Sequence, residues 1–226
     1  MDGHNRIFNM KQSSGTEIPI VASNLDLFST DGDLCALCDH AIENKLQGIL
    51  IFPSSVSLCS DLLFKSDVQL GCAISFPDGR STLATKLFEI KEVKKLGAQA
   101  VTVFCNYSAL RSGEKNLINE EIEKISKLAK ELKLKLTIAV EASILKQKQL
   151  KYVVKLCKEY EVDSFLTSYG SSFSECCSHL NDISDKLKSE ITVVSYLEKL
   201  NRKDVEKLSN LGTSTILTSN RLKCLK

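Results

Sequence analysis

Cys35 and Cys38 have the C-x-x-C spacing of a zinc or thiol redox site, and His4, His40 and His179 are the chain's three imidazoles. The stretch 32–45, "GDLCALCDHAIENK", places Leu34, Leu37, Cys38, Ala41 and Ile42 at helical spacing. No second C-x-x-C completes a tetrahedral set, so these cysteines read as helix core, as does the pair Cys176-Cys177. The histidines stand in a polar tail, on that first helix and on a helix following residue 170, without an Asp or Ser partner at a spacing that builds a proton relay. No metal and no cofactor are expected. Two other features could carry chemistry. One is Glu141, a carboxylate ending an apolar run. The other is the stretch 163–170, "DSFLTSYG", whose small polar residues and turn glycine suit a ligand site, but whose centre is Leu166.

Such residues act only where elements hold them. Short runs rich in Val, Ile, Leu and Phe recur at 23–28, 48–53, 71–77, 100–105, 134–140, 163–169, 191–197 and 213–219. Amphipathic stretches separate them. In "NEEIEKISKLAKELKL", Ile122, Ile125, Leu128, Ala129 and Leu132 form one apolar stripe opposite Glu and Lys, which predicts a helix. Continuous apolar strands alternating with helices imply βαβ units and a parallel sheet buried on both faces. Eight of them predict an α/β fold of the closed (β/α)8 type, a TIM barrel, and the absence of a G-x-G-x-x-G or P-loop after any strand argues against an open nucleotide-binding sheet. In such a barrel, ligands meet the residues where strands run into the following loops.

Length and charge exclude other classes. The chain has 226 residues, 43% of them hydrophobic, enough for one substantial core. We read residues 1–19 as a polar N-terminal segment and 20–226 as a single barrel domain. Thirty Lys plus Arg oppose 28 Asp plus Glu, a formal charge of +2 spread along helix faces, which argues against nucleic acid as a partner. No apolar run reaches the roughly 18 to 20 residues that cross a bilayer. The polar start lacks the pattern of a signal peptide, and the nine cysteines read as reduced, so the expected location is cytoplasmic.

The ordered blocks "LDL" (25–27), "ALCDHA" (36–41), "ISFPDG" (74–79), "KLFEIKEVKKLGA" (86–98), "NYSALRSGE" (106–114), "VEASIL" (140–145), "TSYG" (167–170) and a closing "LTS" resemble the deoxyribose-phosphate aldolases. That resemblance implies a (β/α)8 barrel. It also implies Schiff-base cleavage of 2-deoxyribose 5-phosphate, in which a lysine amine forms an iminium, a second lysine lowers its proton affinity and a carboxylate moves protons. Carried onto this chain, the nucleophilic lysine falls on Leu166, the second lysine on Val194, the proton-transfer aspartate on Thr102 and a relay lysine on Thr137. No lysine lies between Lys158 and Lys186, so a shift of register does not restore the nucleophile.

The resemblance also implies a phosphate cradle of glycine turns after the seventh and eighth strands. Here the first turn reads Leu197-Glu198 and Leu217 replaces a glycine, while Gly170, Ser171 and Ser219 keep fragments of the pattern. Glu141, Thr167 and Ser168 are the remaining ligand-binding candidates, with Glu141 expected to bond neighbouring strand ends or Thr167. The reading is a degenerate aldolase relative that binds another protein. The alternative is a lyase on 2-deoxyribose 5-phosphate or a related sugar phosphate through a displaced lysine, Lys199 first and Lys115 second. A weaker reading is small-anion sensing by Gly170, Ser171 and Ser219. A homodimer is the assembly expected from the family, and the short ending "RLKCLK" implies an open barrel mouth.

Overall fold

The computed structural model describes residues 18–183, 191–199 and 201–219. His4 and the "RLKCLK" ending lie outside them. Eight parallel strands close into a barrel in sequence order: β1 (Ile20–Asn24), β2 (Gly48–Ile51), β3 (Gln69–Ile74), β4 (Ala100–Phe104), β5 (Lys135–Ala139), β6 (Ser164–Leu166), β7 (Thr192–Leu197) and β8 (Thr215–Ser219). β8 pairs with β1, Ile20 opposite Ile216, which completes the ring and leaves no sheet edge. Around it lie α1 (Asp31–Glu43), α2 (Val56–Leu62), α3 (Leu83–Lys95), α4 (Tyr107–Ser112), α5 (Lys115–Glu131), α6 (Gln147–Glu159), α7 (Phe173–Asp182) and α8 (Arg202–Asn210).

Side chains alternate across each strand, so the barrel has two cores. The outer one packs Ile49, Cys72, Val103, Ile138, Phe165 and Ile216 against helices, among them the predicted stripe of α5. The inner one gathers Leu50, Ala73, Phe104, Leu166, Val194 and Leu217 on the axis. The C-x-x-C segment is α1, with Leu34, Leu37, Cys38 and Ala41 buried as helical spacing predicts; Ile42 is exposed instead. Among the described residues all eight cysteines are free thiols, no His/Cys/Asp/Glu group could hold a metal, and no helix is long and apolar enough to cross a membrane.

The first strand departs most from its sequence position, while the run at 71–77 pairs as Gln69–Ile74 and that at 163–169 only over Ser164–Leu166. The apolar pattern puts the first at 23–28, but β1 is Ile20–Asn24, because Val21 to Asn24 pair with β2. Leu25 still reaches the inner core, whereas Leu27 and Phe28 are 80% and 89% exposed on the loop that leads to the Thr30 cap of α1.

Candidate functional site

The eight strands carry one inward-facing lysine, Lys135, at the N-terminal rim, where its Nζ lies 3.0 Å from Asp163 Oδ1. Leu166, Val194, Thr102 and Thr137 do come together, as the resemblance implies. They line one cavity of about 330 Å³ on the barrel axis. Leu166 is fully buried, and Val194 and Thr102 are nearly so. The cavity's remaining lining, including Gln47, Gln69, Asp163 and Thr192, belongs to the ends where strands begin. It therefore faces away from the C-terminal loops at which barrel sites are expected.

Aromatic rings fill the C-terminal end. Phe76, on the loop after β3, packs edge-on against Phe104 at 5.0 Å, Tyr169 at 5.2 Å and Phe52 at 5.8 Å between ring centroids. Tyr169 also meets Tyr196 at 4.8 Å, and its hydroxyl lies 3.2 Å from Ser23 Oγ, which donates to the Thr218 carbonyl. Each ring pair contributes about 0.5–1.5 kcal/mol beyond its area burial. Burial in this cluster pushes the Tyr169 phenol up to about 12, with the Ser23 bond opposing. Phe76, Tyr169 and Tyr196 thus stack together at this end of the barrel, while the chain ending from which an open mouth is expected lies outside the described residues.

Local interactions explain why Phe76 sits there. The loop turns back through Ser75 (φ 57°) and Gly79 (φ 66°), and Gly79 lies so close to β4 that a Cβ would meet the Cys105 carbonyl oxygen at 1.9 Å. Ser75 N donates to Glu89 on α3 at 3.2 Å, and burial raises that carboxyl above its ordinary range. One turn earlier, Lys86 Nζ donates to the Phe104 carbonyl at 2.8 Å and pairs with Glu121 of α5 at 3.0 Å. Glu121 also accepts from Asn106 N at 3.3 Å. Lys86 is fully buried and Glu121 3% exposed, so the pair cannot lose one member without stranding the other's charge. Burial raises the Glu121 carboxyl, and Lys86 works against that rise.

This pair escapes a reading that treats lysines and glutamates as solvated helix faces. A signal for it exists: Lys86 lies four and seven residues before Ile90 and Val93, and Glu121 lies on the stripe of Ile118, Ile122 and Ile125. A charged residue on a buried stripe demands a partner.

The other candidates lie apart from the axial cavity. Glu141, which caps a short turn at Ala142–Ile144, accepts from Ser143 N at 3.3 Å, Ser143 Oγ at 2.6 Å and Ser171 Oγ at 3.4 Å. It does not bond the Thr167 hydroxyl, since the link between these loops is Ala142 N donating to the Thr167 carbonyl at 2.9 Å. Thr167 and Ser168 are fully buried; among the described residues the Thr167 hydroxyl, Ser219 Oγ and His179 Nδ1 have no hydrogen-bond partner, and the Ser168 hydroxyl lies beside the Cys176 thiol. Gly170 (φ 85°) turns the chain into the Ser172 cap of α7. Leu197 is buried, whereas Glu198 and Lys199 are exposed after β7, and Lys115 Nζ lies 5.5 Å from the Tyr152 ring on the outer helices.

Known proteins share both the fold and much of the sequence. A deoxyribose-phosphate aldolase of Caldicellulosiruptor saccharolyticus is 31% identical over 147 residues, 65% of this chain and 67% of that one. One of Thermococcus gammatolerans is 29% identical over 150 residues, 66% and 67% of the two chains. One of Ureaplasma parvum is 28% identical over 192 residues, 84% and 87%. Among solved structures, the tetrameric deoxyribose phosphate aldolase of Aeropyrum pernix superposes with a TM-score of 0.80 at 24% identity, covering 91% of this chain and 87% of that one. The aldolase QR15 superposes at 0.76 with 22% identity, over 94% and 92%. The family model described as DeoC/LacD family aldolase matches residues 19–151, from just before β1 into α6. With that match spanning more than half of a closed eight-stranded barrel, the chain belongs to the DeoC/LacD aldolase family.

Proposed function

We propose that this protein is a catalytically degenerate aldolase relative that works by binding, with another protein as its partner. The observation that carries the reading is the composition of the inner barrel: Leu166 and Val194 stand where the family resemblance puts two lysines, and Thr102 and Thr137 where it puts an aspartate and a relay lysine. Leucine and valine form no imine, and threonine is no proton acceptor at neutral pH. Two further features support it. Phe76, Tyr169 and Tyr196 occupy the end at which barrel enzymes take their substrates, and the family model's match stops at residue 151, before β6. A retained fold with lost chemistry accounts for all of these together. The tetrameric Aeropyrum pernix relative supports self-association within the same reading, of which a homodimer is the simplest form.

The names of the curated relatives favour a second reading, lyase activity on 2-deoxyribose 5-phosphate through Lys199. Lys199 is exposed, whereas an imine-forming lysine needs a desolvated, held position. Gly170, Ser171 and Ser219 remain as fragments of an anion site, with Glu141 accepting from Ser171 and so placing a carboxylate beside it.

Borohydride trapping separates the two readings. The protein is incubated with 2-deoxyribose 5-phosphate or acetaldehyde, reduced, and read by intact mass and peptide mapping beside an active aldolase. The expected result is no adduct. A stoichiometric adduct on one lysine, lost when that lysine becomes alanine, overturns the degenerate reading and names the nucleophile.

A further inference from the structure

The barrel's N-terminal end has the features of a ligand site that the aldolase chemistry does not use. Near the start of β2, β3 and β4 the inward positions Gly48, Gly71 and Ala100 lie side by side and carry little or no side chain, while Gln69, which begins β3, lines the rim of the same space. The glycines cannot be replaced cheaply, because a Cβ on Gly48 would meet the Gln69 carbonyl oxygen at 2.6 Å and one on Gly71 the Ile49 carbonyl oxygen at 2.8 Å. Strand packing therefore holds the space open. The result is the cavity of about 330 Å³ that Thr102 and Thr137 line.

Five hydroxyls face this space, those of Thr102, Thr137, Ser164, Thr192 and Thr215. None of these side chains hydrogen-bonds another described residue, and Thr102 and Thr215 are more than nine-tenths buried. Thr137, Ser164 and Thr192 are half-buried and none of the five hydroxyl oxygens is sealed off, so each can be reached by water or by the hydroxyl of a ligand that enters the cavity. At about 30 Å³ per water the space holds roughly ten waters, or a molecule of several carbons in their place. Its inner wall is apolar, made by Leu50, Leu166, Val194 and Leu217. The charges at its rim, Lys135 and Asp163, are paired with each other, so they offer no net charge to a ligand.

Hydroxyls around an apolar wall, without net charge, match a molecule with several hydroxyls and an exposed C–H face. We propose that the N-terminal mouth of the barrel binds a small uncharged polyol of about pentose size, held by the hydroxyls of Thr102, Thr137, Ser164, Thr192 and Thr215. Entry is from the strand beginnings, because Phe104 and Tyr196 close the other side of the axis. The proposal goes beyond the degenerate-aldolase reading and does not depend on it.

The test is a titration of the ¹⁵N-labelled chain with D-ribose, glycerol and, as a charged control, inorganic phosphate, read by amide chemical shifts. Saturable shifts with ribose or glycerol are expected at Gly48, Gly71, Ala100 and Thr192. Thr102→Val combined with Thr215→Val should weaken binding roughly tenfold or more while preserving shape. Ala100→Leu, which fills the cavity, should abolish it; circular dichroism checks its fold, and the Val pair carries the test if that variant does not fold. Absence of saturation up to about 100 mM, shifts confined to the C-terminal strand ends, unchanged affinity in the Val pair, or tighter binding of phosphate in the same cavity would each overturn the proposal.

Discussion

At the C-terminal end of the barrel, Phe76, Phe104, Tyr169 and Tyr196 interlock on the axis; toward the N-terminal end, Gly48, Gly71 and Ala100 face the axis from β2, β3 and β4 and leave room. One end is closed by large side chains from separate loops and strands. The other is kept open by backbone packed too closely to carry a side chain. The difference teaches that losing ionisable residues does not by itself empty or fill a barrel. Leu166 and Val194 close the middle of the axis, and what lies above and below them is set by neighbours that the family chemistry does not concern.

Changes at the two ends should therefore have unequal costs. The largest effect is expected for Phe104→Ala, which removes a ring 1% exposed between Phe76 and the inner core. It should cost about 3–5 kcal/mol, read as a lower urea midpoint at unchanged slope. A loss under about 1 kcal/mol would break the view that the aromatic cluster is a packed plug. Deleting one hydroxyl at each end gives a sharper comparison. Tyr169→Phe loses the contact with Ser23 and should cost about 0.5–1.5 kcal/mol, whereas Thr102→Val loses no protein partner and should stay within about 0.5 kcal/mol.

The smallest effect is a slope. Burial lowers the His179 ring below its ordinary pKa of 6.5, with Glu141, Glu175 and Asp182 opposing, and burial lowers His40 as well. The unfolded chain then binds protons that the folded chain refuses. Their contribution to stability is fully present above pH 6.5 and is lost as the pH falls through that value toward the lower folded one. His179→Gln should flatten the dependence of Tm on pH in that window. An unchanged slope would mean that His179 accepts its proton in the folded state as readily as in the unfolded one.

Much of the architecture was legible in the residues. Runs such as "GILIFP" and "AVTVFC" became β2 and β4 within two residues of their ends, because strands buried on both faces must be apolar throughout. β1 slipped because Leu25, Leu27 and Phe28 mimic a strand, while pairing with β2 and β8 selects Ile20–Asn24. Of the candidate site, the convergence of Thr102, Thr137, Leu166 and Val194 was readable from family blocks and strand alternation. The Lys86–Glu121 pair was visible only as charges on buried stripes, whose partners no spacing identifies.

By itself, then, the sequence determined a closed parallel barrel and the lack of any lysine between Lys158 and Lys186, because strand period, helix period and residue chemistry are local properties. Only the tertiary structure decided that Phe76, Tyr169 and Tyr196 meet over the strand ends and that five hydroxyls share an axial cavity. These residues come from elements far apart in the chain. Closure of the barrel fixes which of them face one another, and no local period carries that information.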